Sequence, residues 1–414
     1  MGAWVRAKRP LFMLICACAF LTSGAFALTS TRTSVRAGGW VGTWSAAPEG
    51  QRNTTAISVA TTYRQIMHIS VGGNNVRVIV TNEFGMQPLT IGAANIALRT
   101  KGSVIDLASA KTVTFGGRPL VILPAGSMML SDPIDMTLGP LSDVAISLYV
   151  PAQPMRQSTV HSYALQTNYK SPGNVVSTET LTTAFTTGEY FFVRGVEVMS
   201  GAPAAVVTLG DSITDGAASD ANMNGRWPNV LAARLQADAA LSGIGVLNAG
   251  LNGNRLLHND DEFGDSALKR LDRDVLTQAG ARYLIVLEGI NDIGHIAKPS
   301  VDDPPETAQS IIRALQQIAA RARAQGIKVI GATILPYENC KYASVNGEKM
   351  RQAVNQWIRS SQDFDAVVDF DKVVRDPVHP GRLLPAYDSG DHLHPNTDGL
   401  RAMANSIPLS FFAR

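Results

Sequence analysis

The sequence predicts an α/β fold, a parallel sheet with helices on both faces, preceded by an all-β sandwich of jelly-roll-like type. Three observations predict it. From residue 39 to about 200, apolar residues alternate with period two and turn residues separate the runs. After Ala202-Pro203 the pattern changes to short, wholly apolar runs separated by helix-like segments, as in strands buried on both faces. The chain has 414 residues, 45% of them hydrophobic and 17% charged, enough to bury the cores of two domains.

In the first region, Val76, Val78 and Val80 alternate with Arg77, Ile79 and Thr81. Met67, Ile69 and Val71 alternate with Ile66, His68 and Ser70, and Val144, Ile146, Leu148 and Val150 with Ala145, Ser147 and Tyr149. This spacing predicts strands with one buried face. Gly72-Gly73-Asn74-Asn75, Gly116-Gly117 and Pro124-Ala125-Gly126 mark turns between them.

In the second region, strands are predicted over 205–210, 245–248, 283–288, 328–335 and 366–370. A helix is predicted over 303–325, with Asp303 as its cap, Pro304 in the first turn and Gly326 as its stop. Ile311, Ile312, Leu315, Ile318 and Ala319 form its apolar stripe. Residues 227–239 and 266–278 are further helix candidates, and 297–305 is a Pro/Asp-rich loop long enough to border a site.

The N-terminus reads as a signal peptide over 1–27. Arg6, Lys8 and Arg9 precede an apolar run over 11–21, and Ala25-Phe26-Ala27 fits cleavage after Ala27. The run is short for a membrane span, which needs roughly 20 residues, so no stable membrane insertion is expected after cleavage; retention as an anchor is the alternative. The implied location is secreted or periplasmic. Cys16 and Cys18 lie inside the signal, where their spacing fits lipid attachment poorly. Cys340 alone remains, so no internal disulfide is expected. The net charge of +2 and the lack of a basic run past the N-terminus argue against a nucleic-acid partner.

Four segments can carry chemistry. Gly210-Asp211-Ser212-Ile213-Thr214 puts a serine just past a strand's carboxyl end, where parallel sheets bind ligands. Such a serine is either a helix cap or, with a base beside it, a nucleophile; Asp211 holds the turn. Asp391-His392-Leu393-His394-Pro395 puts a carboxylate three residues before a histidine, a spacing that can fix the tautomer of the ring. A metal site from Asp391, His392 and His394 is the rival, without a His-Glu-x-x-His motif to support it. Asn248-Ala249-Gly250-Leu251-Asn252-Gly253-Asn254 and Glu288-Gly289-Ile290-Asn291-Asp292 follow successive strands. They offer the backbone and amide N–H donors that an oxyanion needs, or are turn-forming loops.

Weaker candidates are Arg255, His258 and His295, as substrate contacts or locally paired loop residues. Trp40 and Trp44 are either a sugar platform or core residues. Cys340 has no obvious base beside it and reads as a plain thiol.

Taken together, these four segments resemble the four sequence blocks of the GDSL/SGNH hydrolases, in the right order, over about 204–407. The resemblance implies a flavodoxin-like three-layer SGNH hydrolase fold for a catalytic domain over 203–414. It leaves a β-sandwich accessory domain over 39–202 outside the family's common core. It implies Ser212 as nucleophile, His394 as base and Asp391 as the orienting acid. It also implies an oxyanion hole from the Ser212 N–H, the Gly253 N–H and the Asn291 side chain. Gly253 is assigned by its spacing from Asn248, with Gly250 as second choice. Glu288 stands where many members carry glycine, a departure expected to alter the pocket edge. The implied activity is hydrolysis of short-chain carboxylic esters, carbohydrate acetyl esters among them, with no cofactor and no metal. The implied partner is a small-molecule or carbohydrate ester. Lysophospholipase or arylesterase activity would use the same residues. An inactive carbohydrate-binding surface protein is the reading from another class.

Overall fold

The structure is a computed structural model and describes residues 39–51, 56–201, 203–294 and 306–413. The signal segment over 1–27, His295 and the loop over 297–305 lie outside the described residues.

The N-terminal region is mostly antiparallel β. A four-stranded sheet is built from Gly39–Ser45, Val193–Ser200, Asn74–Asn82 and Ser127–Leu130 in that spatial order. A seven-stranded sheet has Thr61–His68 and Asp143–Val150 at its centre. Val76, Val78, Val80 and Val198 of the first sheet share one apolar cluster with Met67, Val144, Ile146 and Leu148 of the second. The period-two pattern predicted one buried face, but here both faces are buried. Ile66 and Ala145 point the other way and form a second cluster with Ala97 and Ile105. The fully buried Arg64 holds a cover over that face. Its guanidinium donates to the carbonyls of Ser103 at 2.7 Å and Thr178 at 2.6 Å, and to Ser147 Oγ at 2.9 Å.

The C-terminal region is a five-stranded parallel sheet with helices. Its strands are β1 (Ala204–Gly210), β2 (Ile244–Gly250), β3 (Ala281–Leu287), β4 (Lys328–Ala332) and β5 (Ala366–Val368), in the order β2-β1-β3-β4-β5. Strand β1 lies inside the sheet and all seven of its residues are buried, which is why it reads as an unbroken apolar run. Strand β3 stops at Leu287, so Glu288 belongs to the following loop.

The helices are α1 (Ser212–Asp215), α2 (Trp227–Ala237), α3 (Ala267–Leu271), α4 (Ile290–Gly294), α5 (Ala308–Ala324), α6 (Val345–Ser360), α7 (Phe370–Val374) and α8 (Thr397–Ser406). Helix α5 starts later than predicted. Thr307 and Ser310 form a capping box there, while Asp303 and Pro304 lie outside the described residues. Ile311, Leu315, Ile318 and Ala319 are buried as their spacing demands. The candidate over 266–278 is not one α-helix. Ser266 caps α3, and a π-helical turn over Asp272–Leu276 follows. Among the described residues, no helix is long and apolar enough to cross a membrane.

The outer edge of β2 meets the β-rich region through side chains. The Val246 N–H donates to Ser70 Oγ at 2.9 Å, and the Asn248 carbonyl accepts from Ser45 Oγ at 2.9 Å. Core residues of both regions belong to one continuous cluster.

Candidate active site

Ser212 opens α1 directly beyond the carboxyl end of β1. Asp211 caps this helix, its Oδ1 accepting from the Ile213 N–H at 2.9 Å, so it holds the turn as expected. The Ser212 hydroxyl then faces the loop that leads into α8. Ser212 Oγ lies 2.8 Å from His394 Nε2, and His394 Nδ1 lies 2.6 Å from Asp391 Oδ2. His392 turns elsewhere, placing Nδ1 2.6 Å from Asp388 Oδ2.

The two other segments converge on the same place. A cleft of about 630 Å³ is lined by Ser212, Gly253, Asn291, His394 and Asp391 together. Among the described residues, no acceptor takes the backbone N–H of Ser212 or Gly253. Gly253 has φ +72°, and a Cβ there would lie 2.3 Å from the Phe263 ring. Only glycine fits both the conformation and the space. Gly250, the second choice, has its N–H on Asn248 Oδ1 at 2.8 Å and packs beneath α1. Asn291 Nδ2 donates one hydrogen to the Asn254 carbonyl at 2.8 Å. This fixes the plane of the amide and, among the described residues, leaves its second hydrogen to serve the cleft.

Residues 208–402 match the family model of the GDSL-like lipase/acylhydrolases. This chain carries a GDSL-like lipase/acylhydrolase domain. No curated protein matches the chain. Among solved structures, a carbohydrate acetylesterase from Sinorhizobium meliloti is 14% identical with a TM-score of 0.40, over 51% of this chain and 99% of that one. An acetyl xylan esterase is 20% identical with a TM-score of 0.36, over 49% and 96%. A GDSL-like lipase from Bacteroides thetaiotaomicron VPI-5482 is 19% identical with a TM-score of 0.36, over 50% and 87%.

Within the acylhydrolase domain, electrostatics separate two groups of acids. Partial burial would raise Asp391, but hydrogen bonds from the His394 ring and from the His394 and Leu393 N–H groups outweigh it and hold the carboxyl at about 2. It is therefore an anion beside the imidazole at neutral pH. Beneath the cleft, burial pushes Asp211 and Glu288 well up; the Asp292 charge raises both, and Asp211 adds to the rise at Glu288. Burial likewise raises Asp292 to about 6, while its oxygens accept the Leu256 and Leu257 N–H groups.

Glu288 does not border the pocket, contrary to the expectation drawn from its position. It is buried below the site, with Oε1 3.5 Å from Arg270 Nη2. Arg270 was not among the residues singled out by motif or spacing, yet it is fully buried and joins three loops of the domain. It donates to the Gly210 carbonyl at 2.9 Å, the Ala249 carbonyl at 2.7 Å and Asn254 Oδ1 at 2.9 Å. Together with the Glu288 contact, these bonds sit at the roots of the segments bearing Ser212, Gly253 and Asn291. A signal was present: Ala267, Arg270, Leu271, Asp274 and Val275 follow the spacing of a buried stripe, with opposite charges four residues apart.

The remaining candidates take other places. His258 pairs with Glu306. Arg255 is buried and lines no part of the cleft. Trp44 packs edge-on against Tyr190 at 4.8 Å, and Trp40 lies under the Arg77 guanidinium at 3.9 Å. Cys340 does line the cleft, but burial raises its thiol. Phe263, Tyr342 and Leu393 also line it, and nothing local in the sequence distinguished them.

Proposed function

We propose that this chain is an exported serine esterase that cleaves short-chain carboxylic esters, carbohydrate acetyl esters among them. One observation carries the reading: a hydroxyl, an imidazole and a carboxylate in hydrogen-bonded series at the rim of the sheet. His394 Nε2 takes the proton of Ser212 as Oγ attacks the ester carbonyl carbon. The oxyanion that forms is held by the N–H groups of Ser212 and Gly253 and by the Asn291 amide. His394 then returns the proton to the departing alkoxide, leaving an acyl-serine and a free alcohol. Water, deprotonated by the same ring, attacks the acyl carbon and releases the acid. Asp391 keeps Nδ1 protonated and balances the positive charge on the ring throughout.

The lining of the cleft supports a short acyl group joined to a polar alcohol. Phe263 and Leu393 supply a small apolar wall, and Asn252, Asn339 and Lys341 supply polar groups. A second reading, an arylesterase or lysophospholipase, has one observation in its favour. A neighbouring hollow of about 590 Å³ shares Asn339 and Cys340 with the cleft and adds Tyr337, Ala343 and Val345, which suits a longer apolar group.

A fluorophosphonate probe and an acyl-length panel test the reading. The mature chain should be labelled at Ser212, hydrolyse aryl acetate faster than aryl octanoate, and keep its rate in a chelator. Ser212→Ala should lose labelling and turnover while keeping its melting temperature. Turnover surviving in that variant would remove the serine from its role; preference for the octanoate would favour the second reading.

A further inference from the structure

The β-rich region reaches the helix that bears Ser212 with a single buried ring. His161 ends the strand Ser158–His161. Its Nε2 lies 3.1 Å from Asp215 Oδ1 and its Nδ1 lies 2.9 Å from the Ala47 carbonyl oxygen. A carbonyl only accepts, so Nδ1 carries a proton, and a carboxylate partner calls for a second proton on Nε2. The ring is thus an imidazolium, paired with the last residue of α1. The other groups around it are Glu49, whose charge favours the imidazolium, the Tyr190 ring at 6.2 Å, and His68 and Arg226 on the wall of the same small cavity.

The chain just after His161 also holds the loop between α1 and α2. Asn222 donates its N–H to the Leu165 carbonyl at 3.0 Å, and its Oδ1 accepts from Gln166 Nε2 at 2.8 Å and the Thr167 N–H at 2.6 Å. The Arg226 guanidinium donates to the Ala164 carbonyl. Within the same loop, the Asp220 N–H donates to Thr397 Oγ1 at 3.0 Å, and that hydroxyl donates back to Asp220 Oδ2 at 2.8 Å. Thr397 starts α8, three residues past His394. One segment of the β-rich region therefore grips α1 directly and, through a loop, the element that carries the histidine.

We infer that the β-rich region braces the Ser212–His394 pair, and that His161 is a positioning residue holding α1 so that Ser212 Oγ stays within reach of His394. The inference rests on Ser212 being the nucleophile. A displacement of about 1 Å at a reacting group can cost on the order of 100-fold in rate.

The test uses the full chain with His161→Gln, Asp215→Asn and Ser212→Ala. In His161→Gln the shorter amide cannot donate to both partners, so kcat and the rate of fluorophosphonate labelling should fall roughly 10- to 100-fold with little change in KM. In Asp215→Asn the new side chain has the size of aspartate and still accepts from Nε2, so this variant should melt cooperatively near the parent temperature. Burial opposes the charge on His161, but Asp215 outweighs it and raises the ring to about 9. That is above the ordinary histidine value, so the brace is complete below that value and lost as pH rises through about 9. The alkaline limb of kcat should move to lower pH in Asp215→Asn and vanish in His161→Gln. A lower melting temperature with wild-type kcat, labelling rate and alkaline limb would overturn the inference. So would failure of both variants to fold, since the pair would then hold the fold rather than α1. An inactive Ser212→Ala beside a fully active His161→Gln sinks the brace alone; an active Ser212→Ala sinks the nucleophile and the brace with it.

Discussion

Asp391 holds His394 at two points: Oδ2 lies 2.6 Å from ring Nδ1, and Oδ1 accepts the backbone N–H of the same residue at 2.8 Å. One carboxylate thus fixes both where the imidazole sits and which nitrogen faces Ser212. Asp391→Asn should leave the backbone contact in place while weakening the choice of tautomer. We expect kcat on an aryl acetate to fall about 100-fold or more, with KM little changed. A loss below threefold would show that the ring is held without the carboxylate.

The same carboxyl sets an acid limit on stability. It sits at about 2 in the folded protein, below the ordinary value of 3.8. Its contribution is therefore present above 3.8 and lost as pH falls from there through about 2. Thermal melts of wild type and Asp391→Asn should differ at pH 5 and converge near pH 2; a constant gap would contradict the assignment.

Removing one of the proposed oxyanion donors should lower kcat by about 100- to 1000-fold. Asn291→Ala tests the side-chain donor. Gly253→Ala tests the loop more severely, because its φ of +72° and the Phe263 ring leave no room for a methyl group. Steady-state kinetics with folded protein, judged by circular dichroism, separate lost chemistry from lost structure.

Arg270→Met should destabilise the fold by about 3–5 kcal/mol, because the buried Gly210 and Ala249 carbonyls and Asn254 Oδ1 would each lose a charged donor and Glu288 would lose its cation. Urea denaturation measures this directly. A change below about 1 kcal/mol would mean that these buried groups are satisfied without it.

The parts of the site that could be foreseen are those with short-range signatures. Ser212 follows an apolar run and a glycine, and Asp391 and His394 lie within one turn of chain. Each of these patterns is set by neighbours close in sequence, so residue order alone pointed to them, while the meeting of Ser212 with His394 comes only with folding. Arg270, Phe263 and Tyr342 lack such a signature, because their meaning comes from loops that meet only after folding. The burial of both faces at Ile66 and Ala145 was hidden for the same reason: the cover arrives from residues about 40 to 115 positions away and is pinned by Arg64. Helix α5 shows a local misreading. Its stripe was plain, but the Thr307–Ser310 capping box placed the start after Pro304.

The way β2 ends the parallel sheet has a practical consequence. Its outward N–H and carbonyl groups at Val246 and Asn248 are satisfied by two serine hydroxyls, Ser70 and Ser45, rather than by another strand. Hydroxyls cap these polar groups without offering a template for strand pairing. Expressed without residues 39–202, the remainder would expose a long apolar strand with its hydrogen-bonding rim open, and we expect it to self-associate into insoluble material.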